Sequence, residues 1–316
     1  MKRLRGDCRG IIGVILAVMV IFIVIIVVAA LLLIPFRSTP VDEGREAAIG
    51  QGIEALQLIV DVDVGEVSIE FVDDADVAVA LQVTGHHRSG LLGPQEPVNI
   101  TWEERTEGDT LVVSSNITLG DSLIPFFSSD IDCTLLISDR LVTSLSVSAG
   151  VGGMEMVTSD GVRLTSVDLR VGTGGLRATM ADNVTLDGPL RMQASTGGVD
   201  LTWSNVMVGS NASVSLSTST GGVRATVTQT EDPGGNLTFS AAANTGGVDL
   251  GMTLAGNTSA HVASTTSLGG VSVEEKVGFN GTNNDLRSEN YVGDSNFEVT
   301  LGTNTGGVNL RLRYTE

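Results

Sequence analysis

The sequence predicts an all-β fold, a β-solenoid of about seven two-strand coils preceded by one N-terminal transmembrane helix. Three observations predict it. A double glycine recurs through the second half of the chain. Apolar residues alternate with polar ones at fixed offsets from it. One long apolar run stands near the start.

The apolar run comes first. Ile11 to Ile34 are 24 residues, all apolar except Gly13. As a helix they reach about 36 Å, enough for a hydrocarbon core of about 30 Å. A cleaved leader is the competing account, but its small-residue site, Val28-Ala29-Ala30, is followed by Leu31-Leu32-Leu33-Ile34 and not by a polar start. Lys2, Arg3, Arg5 and Arg9 precede the run and Arg37 follows it, so the positive-inside rule places residues 1–10 in the cytoplasm. Residues 11–35 then span the membrane, and everything after lies outside the cell.

Charge divides the chain the same way. Residues 1–37 carry a net +4 and the remainder −23, which together make the overall −19. So acidic a body repels nucleic acid and anionic lipid. Cys8 and Cys133 fall on opposite sides of the membrane and cannot pair with each other. Cys133 sits in the alternation Ile131, Cys133, Leu135, Ile137, a buried strand face; an intermolecular disulfide is the other account, and acylation of Cys8 is open.

Residues 36–52 (from Arg37, RSTPVDEGREAAIGQG) are polar and read as a linker. From Ile53 the chain alternates in strand fashion, and no later segment sustains a helical period. Residues 53–140 lack the double glycine and read as an N-terminal β region or cap.

Residues 141–316 hold the repeat. Glycine pairs stand at Gly152-Gly153, Gly174-Gly175, Gly197-Gly198, Gly221-Gly222, Gly246-Gly247, Gly269-Gly270 and Gly306-Gly307, spaced by 22, 23, 24, 25, 23 and 37 residues. A further pair, Gly234-Gly235, falls off this register and reads as an ordinary turn. Five and seven residues before each first glycine, and two and four after it, the positions are almost all apolar; Leu190, Met192, Val199 and Leu201 are one set. The parity of the alternation shifts across the pair, so the chain turns there and keeps its apolar face inward on both limbs. One such unit cannot bury its own face, so units must stack. An antiparallel sandwich is the rival, and the 37-residue gap reads as a loop near residues 278–295.

At this point the chain resembles the DUF4097 adhesin-like family of β-strand repeat proteins. The resemblance spans Leu56 to Arg313. It rests on LQLIVDVDVGEVSIEFVDDADVAVALQV, on CTLLISDRLVTSLSVSAGVGGMEM and on the TGGV coils. The family usually has a proline within the segment that reads LLISDR here. The resemblance implies a single-stranded β-helix-like domain, often tethered to a membrane span, with an adhesin-like label and no defined activity.

The chemistry is sparse. His86-His87 (in TGHHRSG) reads as loop, and His261 faces outward by parity with no acidic orienter nearby in sequence. Asp73, Asp74 and Asp76 form a solvated turn, because an EF-hand needs further ligands and a closing glutamate. TGGV lacks the Lys-Ser/Thr and the helix of a phosphate loop. No catalytic, cofactor-binding or metal-binding set is expected, and the chain reads as a non-enzyme with no cofactor.

The position three after each first glycine points outward and reads Glu155, Arg177, Asp200, Arg224, Asp249, Ser272, Asn309, the first five a ladder of alternating sign. Leu123-Ile124-Pro125-Phe126-Phe127 is an apolar patch that covers the open end of the stack or meets a partner. Seven N-glycosylation sequons, at Asn99, Asn116, Asn183, Asn211, Asn236, Asn257 and Asn280, all follow the span. The expectation is a single-pass, membrane-anchored, extracytoplasmic adhesin-like or structural module whose partner is a protein or an envelope polymer. An envelope-stress or surface sensor acting with a membrane partner is one alternative. A carbohydrate-active β-helix is another, and it lacks aromatic platforms: Trp203 points inward, leaving Trp102, Tyr291 and Tyr314 besides phenylalanines.

Overall fold

The computed structural model describes residues 19–26, 37–74, 76–89, 98–119, 130–180, 182–209, 212–292 and 296–315. Residues 19–26 are helical, and the remainder of the 11–35 span lies outside the described residues, as do Cys8, the Leu123–Phe127 patch and Asn211. No described helix is long and apolar enough to cross a membrane. Nearly all the rest is strand, arranged as an 11-stranded and a 14-stranded sheet.

One unit explains the others. Pro189–Thr196 lies in the 14-stranded sheet and turns Leu190, Met192 and Ala194 inward. The chain then passes Gly197-Gly198 into Val199–Ser204 of the 11-stranded sheet, which turns Val199, Leu201 and Trp203 inward. The alternation of a strand puts every second side chain on one face, so each limb contributes a row to the shared core. Each fully buried aliphatic chain contributes about 1.5–3 kcal/mol. The inward indole is satisfied: Trp203 Nε1 donates to Gln229 Oε1 at 3.0 Å, and Gln229 Nε2 donates to the Glu231 carbonyl at 2.9 Å. Inner side chains of both sheets form a single hydrophobic cluster.

The glycine corner has a steric cause. Gly197 has φ +136°, and a Cβ there would stand 1.8 Å from the carbonyl oxygen of Gly174 in the unit before. Gly198 is different, because a Cβ there meets nothing nearer than 3.8 Å. Of the two glycines, the first is required and the second is tolerated.

Successive units pair in parallel and in register: Val167 lies beside Leu190, Leu190 beside Val214, Val214 beside Phe239. From Val142–Val151 to Val248–Ala255, spatial order follows sequence order, and then it departs. Phe297–Thr305 lies between Leu237–Thr245 and Ala260–Leu268, and Val308–Thr315 lies between Val248–Ala255 and Val271–Val277. The last unit in the chain is thus the penultimate unit in space. The 37-residue gap is the path this needs: Phe279–Thr282 and Asp285–Ser288 form a hairpin that pairs antiparallel with Ala260–Leu268, and the chain then returns to the open slot.

The other end repeats the arrangement. Ala55–Val64 lies between Thr110–Leu119 and Val142–Val151, and Glu66–Val72 lies between Asp130–Ser138 and Met154–Val157. Residues 53–140 are therefore more than a cap, because 55–72 is a complete internal unit. Its corner is the single glycine Gly65, with φ +149°, which a search for glycine pairs passes over. Two antiparallel strands extend the sheets beyond it: Val98–Glu107 ends the 14-stranded sheet, and Val77–Ser89 continues the 11-stranded one.

The segment read as a linker, 36–52, is also corrected. Arg37–Ala48 is an edge strand, antiparallel to Val77–Ser89. Only Val41 and Ala47 of its apolar residues are buried, so its sequence shows little alternation. Charged residues, Pro40 and Gly44 are what an exposed edge carries to resist pairing with other chains.

Candidate functional site

The most regular exposed chemistry lies on the outer face of the 11-stranded sheet. Two and four residues after the first glycine point inward, so the third points out. Register then sets Glu155 beside Arg177, Arg177 beside Asp200, Asp200 beside Arg224 and Arg224 beside Asp249 on consecutive parallel strands. Arg177 stands 4.0 Å from both Glu155 and Asp200, and Arg224 is 3.9 Å from Asp249. The arginine side chains are about 60% exposed. At such distances and exposure each pair contributes only about 0.2–1 kcal/mol. Charged donors and acceptors therefore face solvent with much of their hydrogen-bonding capacity unspent.

The file continues at both ends. Ser68 neighbours Glu155, and Asn309, not Ser272, neighbours Asp249, with Asn309 Nδ2 donating to Asp249 Oδ1 at 2.9 Å. Ser272 lies beyond Asn309. The order expected from sequence is reversed here because the last two units exchange places. Beside the ladder, the glycine corner forms an open groove of about 660 Å³, lined by Gly152, Gly153, Gly174, Gly175 and Gly198 together with Glu66, Glu155, Arg177 and Asp200. On its far side a second file runs, the exposed threonines Thr173, Thr196, Thr220, Thr245 and Thr305.

A second cluster was missed from sequence. His261 Nδ1 is 2.7 Å from Glu298 Oε1, and Nε2 is 3.1 Å from Asp285 Oδ1. Arg287 pairs with Asp285 at 3.3 Å and lies over the Tyr291 ring, 5.5 Å from its centroid; that ring is 6.1 Å from the imidazole. A ring carrying a proton on each nitrogen donates to both carboxylates at once. The orienters are 37 and 24 residues away in sequence, so local inspection could not find them. One signal existed: His261 and Glu298 both stand eight residues before a first glycine and so share a column. The cluster ties Ala260–Leu268 to the inserted strand and to the hairpin.

The remaining sequence candidates have structural roles. Asp74 Oδ1 accepts from the backbone N–H groups of Asp76 and Val77, at 2.8 and 3.1 Å. These bonds, the Asp76 one foremost, hold its carboxyl below the ordinary range. Asp73 takes Arg140 Nε at 2.9 Å and Nη2 at 2.7 Å. His86 and His87 are in the strand Val77–Ser89 and not in a loop; His87 is buried, and burial lowers its pKa. Cys133 is buried, and desolvation, with Asp132 nearby, pushes its thiol up to about 12. That leaves it no route to a partner's thiol while the fold is intact. Among the described residues, no group of three or more His, Cys, Asp or Glu is placed to hold a metal ion. Asn99, Asn116, Asn183, Asn236, Asn257 and Asn280 are all exposed.

No protein-family model matches the chain, that of DUF4097 included, and no curated protein matches it. Among solved structures, a candidate cell adhesion protein from Clostridium sporogenes is similar over 86% of this chain and 99% of its own, at 13% identity and a TM-score of 0.42. A candidate adhesin from Bacteroides fragilis is similar over 87% of this chain and 97% of its own, at 10% identity and a TM-score of 0.34.

Proposed function

We propose that this chain is a membrane-anchored, extracytoplasmic adhesin-like module, a closed β-solenoid that works by presenting a rigid surface and not by catalysis. The observation that carries the proposal is the file from Glu155 to Asp249: exposed charges of alternating sign, fixed in register by the strands beneath them. Preorganised side chains bind with little ordering cost, which is what a contact surface needs. The apolar run at Ile11–Ile34 and its basic flank support the anchor and the sidedness. The TGGV coils and their resemblance to adhesin-like repeats support the type of module. Its partner is a protein or polymer of the cell envelope.

The test is co-sedimentation of the detergent-solubilised full chain with envelope fragments from cells lacking it. Arg177→Gln combined with Arg224→Gln should weaken retention about tenfold, a loss near 1.4 kcal/mol, while the melting temperature falls by only a few degrees. Equal retention of the variant and the parent would rule out the ladder as the contact surface.

A further inference from the structure

Each unit returns from the 11-stranded sheet to the 14-stranded one on the edge opposite the glycine corner. Asn183 lies on this edge, in the turn between Leu176–Met180 and Thr185–Leu186; Asn236 lies there too, between Val223–Gln229 and Leu237–Thr245. Both side chains are exposed, and Asn183 has φ +59°, a turn conformation that asparagine tolerates. Each opens a sequon whose hydroxyl, Thr185 or Thr238, is at least partly exposed.

The other described sequons differ. Asn257 is exposed, but its hydroxyl residue, Ser259, is buried and bonded to Asn296 Oδ1 through both its N–H, at 3.0 Å, and its Oγ, at 3.5 Å. Asn99 and Asn116 stand in two strands paired with each other, and Thr101 Oγ1, the hydroxyl of the first sequon, accepts from the Asn116 N–H at 3.2 Å. In a paired strand, residues two apart are held about 7 Å from each other, so the hydroxyl cannot fold back on its asparagine. Asn280 is likewise held in a hairpin strand.

We propose that Asn183 and Asn236 are N-glycosylation sites of the folded chain, so that oligosaccharide lines the return edge and leaves both sheet faces and the glycine corner bare. This rests on the extracytoplasmic placement proposed above. The donor is a lipid-linked oligosaccharide and the catalyst a membrane transferase. The asparagine amide nitrogen bonds to the anomeric carbon. The anomeric C–O bond breaks, its electron pair leaves with the lipid phosphate, and the amide proton passes to a base of the transferase.

The experiment uses the full chain purified from its own membranes. Mass spectrometry of its peptides should find oligosaccharide on Asn183 and Asn236, and Asn257 unmodified. Thr185→Val and Thr238→Val, which keep the asparagines, should each abolish the modification at their own site and leave the other intact. Protease added to intact cells reports sidedness separately. A domain digested from outside, with Asn183 and Asn236 bare, overturns the glycosylation proposal and leaves the placement standing. A domain protected inside the cell overturns both. Modification that persists in the valine variants, or that is as full at Asn257, overturns the sites assigned here.

Discussion

At the scale of single residues, the two glycines of each pair are chemically identical and structurally unequal. A side chain at Gly197 must adopt a positive φ and must also displace the carbonyl of Gly174, whereas Gly198 has room. We expect Gly197→Ala to lower stability by about 3 kcal/mol or more, since left-handed strain alone costs about 1–3, and Gly198→Ala to change it by less than about 1. Denaturant unfolding of the two variants checks this, and equal losses would contradict the steric account of the corner. Cys133 allows a second test. Its folded pKa, about 12, lies above the ordinary 9.0, so the fold favours the protonated thiol. Its contribution is intact below the unfolded value and is lost as pH rises from there toward about 12. Cys133→Ala should therefore flatten the alkaline fall in stability, and iodoacetamide should label the native protein only as fast as it opens. Rapid labelling of the folded chain would show the thiol to be exposed.

At the scale of elements, the ladder acts on register more than on stability. Slipping a strand by one unit would oppose like charges. Arg224→Asp sets three carboxylates side by side, at Asp200, position 224 and Asp249. We expect a loss of about 1 kcal/mol or more, partly recovered when Asp200→Arg and Asp249→Arg are added, because an arginine at 200 also stands beside Arg177. A triple variant no more stable than the single one would mean that these positions do not couple. The inward columns were legible because strand alternation converts burial into sequence period: Leu190, Met192, Val199 and Leu201 could be assigned before any coordinates. A column, however, states where a residue sits within its unit and not which unit lies next. Hence sequence order runs Ser272 then Asn309 where space reverses them, and the shared column of His261 and Glu298 does not by itself tell that they touch. Arg37–Ala48 was hidden for a different reason: an edge strand with few buried side chains has no pattern to read.

At the scale of the whole molecule, repeat arrays ordinarily lose their terminal unit at the cost of one interface. Here the unit 297–315 has neighbours on both sides. Truncation after Asn296 would remove two interfaces and leave 260–277 paired with the hairpin alone. We expect the truncated chain to lose more than half of its unfolding free energy, read from denaturant midpoints with the slope compared. A truncated chain that melts within a few degrees of the parent would contradict this.

The same interleaving has a consequence in time. A chain that emerges from its N-terminus can add units one upon the next only as far as residues 237–255. The unit 260–277 then has to keep a vacancy beside it until 297–315 arrive and fill it. Residues 297–315 thus act as the tongue of a buckle: they are needed to fasten segments made before them. A chain cut short before residue 297 keeps an open seam between 237–255 and 260–277, and unpaired strand edges with exposed apolar faces invite aggregation. The architecture thereby makes the arrival of residues 297–315 a condition for closure of the fold.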